Sequence, residues 1–196
     1  MSHYFENDKN LPSQLKRTVA TINGKEFIFY TDNGVFSKTG LDFGSRLLLE
    51  SIPIADLKGK ILDVGCGYGP LGIVINKLSC QPVEMVDINR RALHLAQRNS
   101  KENNCTDIRI YESSCYEAVT GYFDIIVTNP PIRAGKKIVY EILFGAKEHL
   151  KQNGVLYCVI RKDQGAKSII SDLEKAYNVT ILKKSKGFFI IQAKNG

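Results

Sequence analysis

At 196 residues, with 43% hydrophobic and 24% charged side chains, the chain has the make-up of one globular unit with an ample core, which excludes disordered and fibrous classes. Lysine and arginine outnumber aspartate and glutamate by 27 to 20, and the resulting net charge of +7 suits a polyanionic partner. No apolar run is long enough to span a bilayer, and the start Met1-Ser2-His3-Tyr4 is not a secretory signal. The five cysteines, at 66, 80, 105, 115 and 158, suggest neither a disulfide framework nor a zinc site, so a reducing cytoplasm is the expected compartment.

Residues 1–14 are polar and are expected to lack fixed structure. From Leu15 to Thr31 the pattern alternates around Asn23-Gly24, a pair that favours a two-residue hairpin turn. Residues 1–33 therefore read as an amino-terminal extension and 34–196 as the main domain. Between Gly34 and Ile54 a loop leads into an amphipathic helix, with Leu41, Leu47, Leu48 and Ile52 near helical spacing. From Lys58 onward strands and helices alternate. Strands are expected near 60–64, 82–87, 107–111, 123–128, 154–160, 178–184 and 187–193, and helices near 71–79, 90–103, 137–151 and 164–176. This is the pattern of an α/β, Rossmann-like parallel sheet with helices on both faces. Lys186-Gly187 can turn the last two strands into a hairpin.

The stretch Lys60–Gly72 reads KILDVGCGYGPLG: an apolar strand, a glycine turn at Gly65, Gly67 and Gly69, then a helix starting near Leu71. Glycine admits positive φ and lets a ligand approach the backbone without a clashing Cβ. The helix aims its amide N–H groups and positive dipole end at the same crevice. A second apolar strand ends at Asp87, where a carboxylate can accept hydrogen bonds from a ribose diol. The spacing alone leaves a dinucleotide and S-adenosylmethionine both open. Asp63, two positions before the first glycine, would repel a pyrophosphate but could brace the loop or help hold an ammonium group. It therefore tilts the reading toward S-adenosylmethionine.

Phe123–Thr128 reads as a buried parallel strand, ended abruptly by Asn129-Pro130-Pro131-Ile132. The chain leaves the sheet at its carboxyl edge, where open α/β sheets place ligands. The Asn129 amide oxygen and a rigid proline carbonyl are two fixed acceptors, enough to grip both hydrogens of a planar exocyclic amine. That grip would aim the nitrogen and offset the positive charge that grows on it.

These motifs together resemble a class I S-adenosylmethionine-dependent methyltransferase of the Asn-Pro-Pro amino-methylating group. Within that group the chain is most similar to the ribosomal small-subunit methyltransferase C family. The resemblance rests on Phe36-Ser37 with Gly40-Leu41-Asp42-Phe43-Gly44-Ser45, on Leu62–Gly69, on Asp87 and Asn89 with Ala92-Leu93, and on Phe123-Asp124 leading to Asn129-Pro130-Pro131. It implies methylation of a guanine exocyclic amine in small-subunit ribosomal RNA and a reversed seventh strand. It also implies a cofactor site formed by Asp63, Gly65, Cys66, Gly67, Gly69, Leu71, Asp87, Ile88, Asn89, Ser113, Ser114, Cys115 and Asn129. Asn129, Pro130, Pro131 and Ile132 would form the catalytic turn, with Ser114 toward the adenine and Cys66 and Cys115 as small neutral spacers. The chain departs from the pattern in two ways. Many relatives carry an aromatic after Pro-Pro, where this chain has Ile132; Phe36 or Tyr68 would have to supply the missing face. The family's best-known members also carry an additional amino-terminal half, for which 196 residues leave no room.

Arg133, Lys136 and Lys137 beyond the Asn-Pro-Pro turn, with Lys16 and Arg17 in the hairpin, are the candidate RNA-phosphate contacts. Lys183, Lys184 and Lys186 form another basic cluster, expected on the far edge and read as a solvated face. The histidines at 3, 94 and 149 show no ligand spacing, and neither a metal nor a membrane is expected as partner. Two other functions remain open. One is methylation of a protein glutamine side chain, likewise a planar NH2. The other is a catalytically weak RNA-binding or assembly role.

Overall fold

The computed structural model describes residues 12–35, 37 and 40–196. Residues 1–11 and Phe36 lie outside it, as does the side chain of Ile132. The chain begins with an antiparallel hairpin of β1 (Lys16–Ile22) and β2 (Lys25–Thr31), in which Ile22 faces Lys25. The turn residues Asn23 and Gly24 both have positive φ, 49° and 76°, as a twist-matched two-residue turn requires. Ala20, Ile22, Phe27 and Phe29 on its inner face are buried in the same core as the main sheet. The free edge of β2 is fastened by amides from helix α3 (Arg90–Glu102) and its C-cap. Asn99 bridges Tyr30 N and O, and Asn103 bridges Ile28 N and O. These side chains stand in for a strand partner, so the hairpin is docked and its backbone groups are satisfied.

The main sheet has seven strands: β3 (Ile61–Val64), β4 (Val83–Asp87), β5 (Ile108–Glu112), β6 (Phe123–Thr128), β7 (Leu150–Arg161), β8 (Asn178–Ser185) and β9 (Phe188–Lys194). They lie in the order β5-β4-β3-β6-β7-β9-β8. The first five are parallel, and β9 runs antiparallel to both its neighbours. The central strands bury both faces. Ile61, Ile125 and Val127 pack with α1 (Phe43–Ser51), α2 (Pro70–Ser79) and α3. Leu62, Val64 and Ile126 pack with α4 (Lys136–His149) and α5 (Ala166–Leu173) on the other side. That two-sided burial explains why these strands read as continuous apolar runs.

Element boundaries shift where backbone geometry overrides periodicity. The helix expected to reach 151 stops at His149, because Leu150 already pairs with Phe123 at the start of β7. The helix expected over 164–176 is only α5, opened by Gly165 at φ 80° and closed by a turn after Leu173. Among the described residues no helix is long and apolar enough to cross a membrane.

Candidate active site

The carboxyl ends of β3, β4, β6 and β7 open onto a cavity of about 430 Å³, a size usual for cofactor sites. Its first wall is the glycine turn. Gly65 and Gly67 have φ of 71° and 58°, and their amide neighbourhood is fixed by Gly65 N and Cys66 N, which both donate to Val86 O at 2.9 Å. A Cβ added at Gly67 would meet no atom within 4 Å, and one at Gly65 only Pro131 Cδ at 3.8 Å. The two bare backbones therefore form a cradle that side chains would fill. Gly69 serves packing instead: its Cβ would lie 2.9 Å from Ile73 Cδ1, and it is not part of the wall.

Asp87 ties this turn to the end of β4. One carboxylate oxygen accepts from Gly67 N and the other from Asn89 N, each at 2.8 Å. Burial raises its pKa, while the backbone N–H bonds pull it back. Ile88 N–H is a third backbone donor to this carboxylate, which with about four accepting directions in all keeps capacity for a ligand hydroxyl. Asn89 caps α3 through Ala92 N and donates to Gly34 O, holding the loop before α1 against the site. Ile88, Leu71, Cys66, Ser113, Ser114 and Cys115 complete this half of the wall. The Ser113 hydroxyl is spent on its own loop, donating to Cys115 O and accepting from Ala118 N. Burial pushes the Cys115 thiol up to about 12 and the Cys66 thiol well above its ordinary value, so both are neutral near pH 7.

Of the two roles left open for Asp63, the structure shows the bracing one. Asp63 is fully buried beneath the turn and outside the cavity wall, with one oxygen accepting from Gly72 N at 2.9 Å. Its other oxygen has no partner among the described residues. Desolvation lifts its pKa to about 7, with the charge of Asp87 adding to the rise. Through the bond from Gly72 N, Asp63 braces the start of α2.

The second wall starts at Asn129. Thr128 Oγ1 donates to Val64 O, so the ends of β6 and β3 move as one. The Asn129 side-chain nitrogen donates to Ser45 Oγ at 2.9 Å and to Asp42 Oδ1 at 3.3 Å. The same Asp42 oxygen accepts from Ser45 N and caps α1. A carboxylate only accepts, so the amide NH2 must face α1 and the amide oxygen must face away from it. Asn129 is thus presented as an oriented acceptor. The Pro131 carbonyl is committed to Ala134 N, while Pro130 remains in the wall.

Of the basic residues, the structure brings Arg133 to the wall; Lys136, Lys137, Lys16 and Arg17 stay outside it. Lys136 lies over the Tyr140 ring at 4.9 Å, one turn into α4. Lys16 and Arg17 are exposed on β1, whose Thr18 packs against Gly40 in the loop leading to Asp42. Tyr68 borders the cavity but is 2% exposed, and its ring meets Phe29 edge-on at 5.7 Å. It offers no free face for a base. The other candidate for that role, Phe36, lies outside the described residues.

The sequence reading gave no role to Asp42, Phe43, Ser45, Arg161, Gln164 and Phe188, all of which line the cavity. The first three belong to a segment on which the family resemblance rests. Arg161 ends β7 and Gln164 follows it at the ligand edge, which is itself a signal. Phe188 opens β9, and the antiparallel register sets it opposite Arg161. Lys186 follows the same logic: its ammonium lies 5.0 Å from the Phe43 ring, beside the site and not on a far edge.

This strand order, with a glycine cradle answered by Asp87, defines a class I S-adenosylmethionine-dependent methyltransferase. Residues 26–192 match the family described as methyltransferase small domain, and the chain belongs to it. S-adenosylmethionine is its cofactor. A Bacillus subtilis protein, described as the uncharacterized protein YbxB, is 42% identical over 196 residues, covering 98% of each chain. The ribosomal RNA small subunit methyltransferase C of Vibrio parahaemolyticus is 33% identical over 98% of this chain but 58% of its own length. That of Haemophilus influenzae is 39% identical over 69% of this chain and 42% of its own. A solved T. thermophilus 16S rRNA N2 methyltransferase, in complex with AdoMet and guanosine, superposes with a TM-score of 0.82 at 27% identity. The match covers 95% of this chain and 52% of that one. The chain thus spans about half the length of these named methyltransferases.

Proposed function

We propose that the protein methylates the exocyclic amine of a guanine in RNA, with small-subunit ribosomal RNA or the small ribosomal subunit as the substrate. The observation that carries this reading is the Asn129 amide, locked by Asp42 and Ser45 with its oxygen as a fixed acceptor. S-adenosylmethionine supplies an electrophilic methyl group. The Gly65–Gly67 backbone would admit the cofactor closely, the Asp87 carboxylate would take its ribose hydroxyls, and the Ser114 hydroxyl would serve its adenine. The Asn129 oxygen and the Pro130 carbonyl accept the two N–H bonds of the amine. They aim its nitrogen and stabilise positive charge as it develops. The positively charged N-methyl nitrogen that transfer to an aryl-type amine would give is acidic enough to release a proton to water, so no strong base is needed in the wall. The base must leave its stack, or be unpaired already, to reach this depth.

The guanine assignment leans on the relatives named for that activity and on the +7 charge. Arg133 at the rim, with Lys136, Lys137, Lys16 and Arg17 beyond it, would meet phosphates, and binding should weaken steeply with salt. The test uses small ribosomal subunits lacking their native methyl groups, incubated with isotopically labelled S-adenosylmethionine and digested to nucleosides for mass spectrometry. Label on the exocyclic nitrogen of guanosine is the expected result. Label on another nucleoside would move the specificity. An unlabelled RNA would sink the assignment and direct attention to glutamine side chains.

A further inference from the structure

The acceptor half of the cavity contains an aromatic pair that the sequence motifs do not account for. Phe43 and Phe188 line the wall with ring centroids 5.3 Å apart, tilted by 54°. Both are part-exposed, unlike the buried Tyr68. Their placement is built in. Phe43 stands between Asp42 and Ser45, the two residues that hold the Asn129 amide. Phe188 lies against the α1 backbone at Gly44, where an added Cβ would come within 2.9 Å of the ring. The pair is therefore in register with the amine-gripping group.

One cation lies over each ring. Lys186 Nζ is 5.0 Å from the Phe43 centroid, and the Arg161 guanidinium, paired with Asp163 at 2.7 Å, is 5.4 Å from that of Phe188, opposite it across β7 and β9. Aromatic rings rimmed by cations suit an unstacked base whose flanking phosphates pass outside. Ile132, next to the Pro-Pro turn, is aliphatic and offers no π face.

We infer that Phe43 and Phe188 form the face on which the target base stacks, with Lys186 and Arg161 at its phosphate rim. This rests on the RNA reading above and specifies the acceptor subsite for it. Stacking of this kind costs a single-strand binder roughly tenfold or more in affinity when the aromatic is removed.

The test begins with guanosine alone, added to the protein saturated with S-adenosylhomocysteine and followed by NMR. Ring currents from the pair should move the guanosine H8 and H1′ signals upfield. Phe188→Leu and Phe43→Leu should each reduce that shift, while S-adenosylmethionine binding stays within a few-fold and reports an intact fold. In methylation of the small subunits, Phe188→Leu should raise KM about tenfold and leave kcat within a few-fold. Adding Ile132→Phe to that variant should recover part of the loss by restoring a π face next to Asn129. An unshifted guanosine spectrum with the wild-type protein, or a Phe188→Leu variant that keeps both shift and KM, overturns the inference. Methylated guanosine with an indifferent Phe188 would reject the stacking face alone. A guanosine shift lost in Phe188→Leu, with unmethylated ribosomal RNA, would keep the face and reject the RNA reading.

Discussion

The half of the cavity beside β3 and β4 comes mainly from one continuous stretch, Ile61 to Asn89, while the half beyond Asn129 draws on four separated segments. In the first half a turn, a helix start and a strand end shape the wall through backbone groups, as in the bonds from Gly67 N and Asn89 N to Asp87. In the second, function hangs on side chains that meet across the sequence: Asn129 on Asp42, 87 positions away, and on Ser45, 84 positions away. The cofactor half should therefore fail through local backbone changes, and the acceptor half through loss of single long-range contacts. The two kinds of failure should separate cleanly in kinetics.

The largest separation is expected at Asn129. Asn129→Ala removes the oriented acceptor, and turnover should fall by about 10²–10³-fold, as when a charge-stabilising group is lost elsewhere. S-adenosylmethionine affinity, measured by calorimetry, should stay within a few-fold. Near-wild-type turnover would break the division between the halves.

On the other side, Gly67→Ala places a methyl group in the open space of the cradle at φ 58°. Cofactor Kd should rise about tenfold or more, with a stability cost of roughly 1–2 kcal/mol for the left-handed backbone. Gly24→Ala provides the matched control. Gly24 also has positive φ, 76°, and open space around it, but it lies in the hairpin turn. A similar change in melting temperature with unaltered cofactor Kd would show that the Gly67 effect is steric exclusion of the ligand and not lost stability. A smaller change is expected from Ser45→Ala, which deletes one of the two bonds orienting Asn129. At about 1 kcal/mol for a hydrogen bond, kcat should drop roughly fivefold, again at constant cofactor affinity.

The same asymmetry decides what could be read from the sequence. The cofactor half is local, so spacing alone located Gly65, Gly67 and Asp87, and the strand-ending prolines located Asn129. Gly40–Ser45 was recognisable as a distinctive segment, but nothing in one dimension shows that Asp42 and Ser45 meet Asn129. Phe188, Arg161 and Lys186 depended on a topological consequence. Because β9 is antiparallel, its first residue and the preceding turn return to the carboxyl edge of β7. Lys183 and Lys184 do lie on the edge strand β8, as expected, and only Lys186, in the turn, is carried back beside the site. Asp63 shows the opposite limit: the motif left brace and ligand contact both open, and only packing shows that Gly72 N takes one of its oxygens beneath the turn.

That distinction yields the prediction with the smallest expected effect on catalysis. Asp63 has a folded-state pKa lifted by burial from the ordinary 3.8 to about 7. Between those values the folded protein holds a proton that the unfolded chain has released. Stability contributed by Asp63 is thus fully present below 3.8 and is lost as pH rises through about 7, with a slope of at most about 1.4 kcal/mol per pH unit. Asp63→Asn keeps an oxygen for Gly72 N but carries no titrating group. Denaturant unfolding across this range should show the wild type losing stability relative to Asp63→Asn as pH increases, with the variant the more stable protein at pH 8. Its S-adenosylmethionine affinity should remain within a few-fold if bracing α2 is the carboxylate's role. A drop of tenfold or more at pH 8 would mean that Asp63 neutralises a cation of the bound cofactor, and the boundary between brace and ligand contact would have to be redrawn one residue pair deeper.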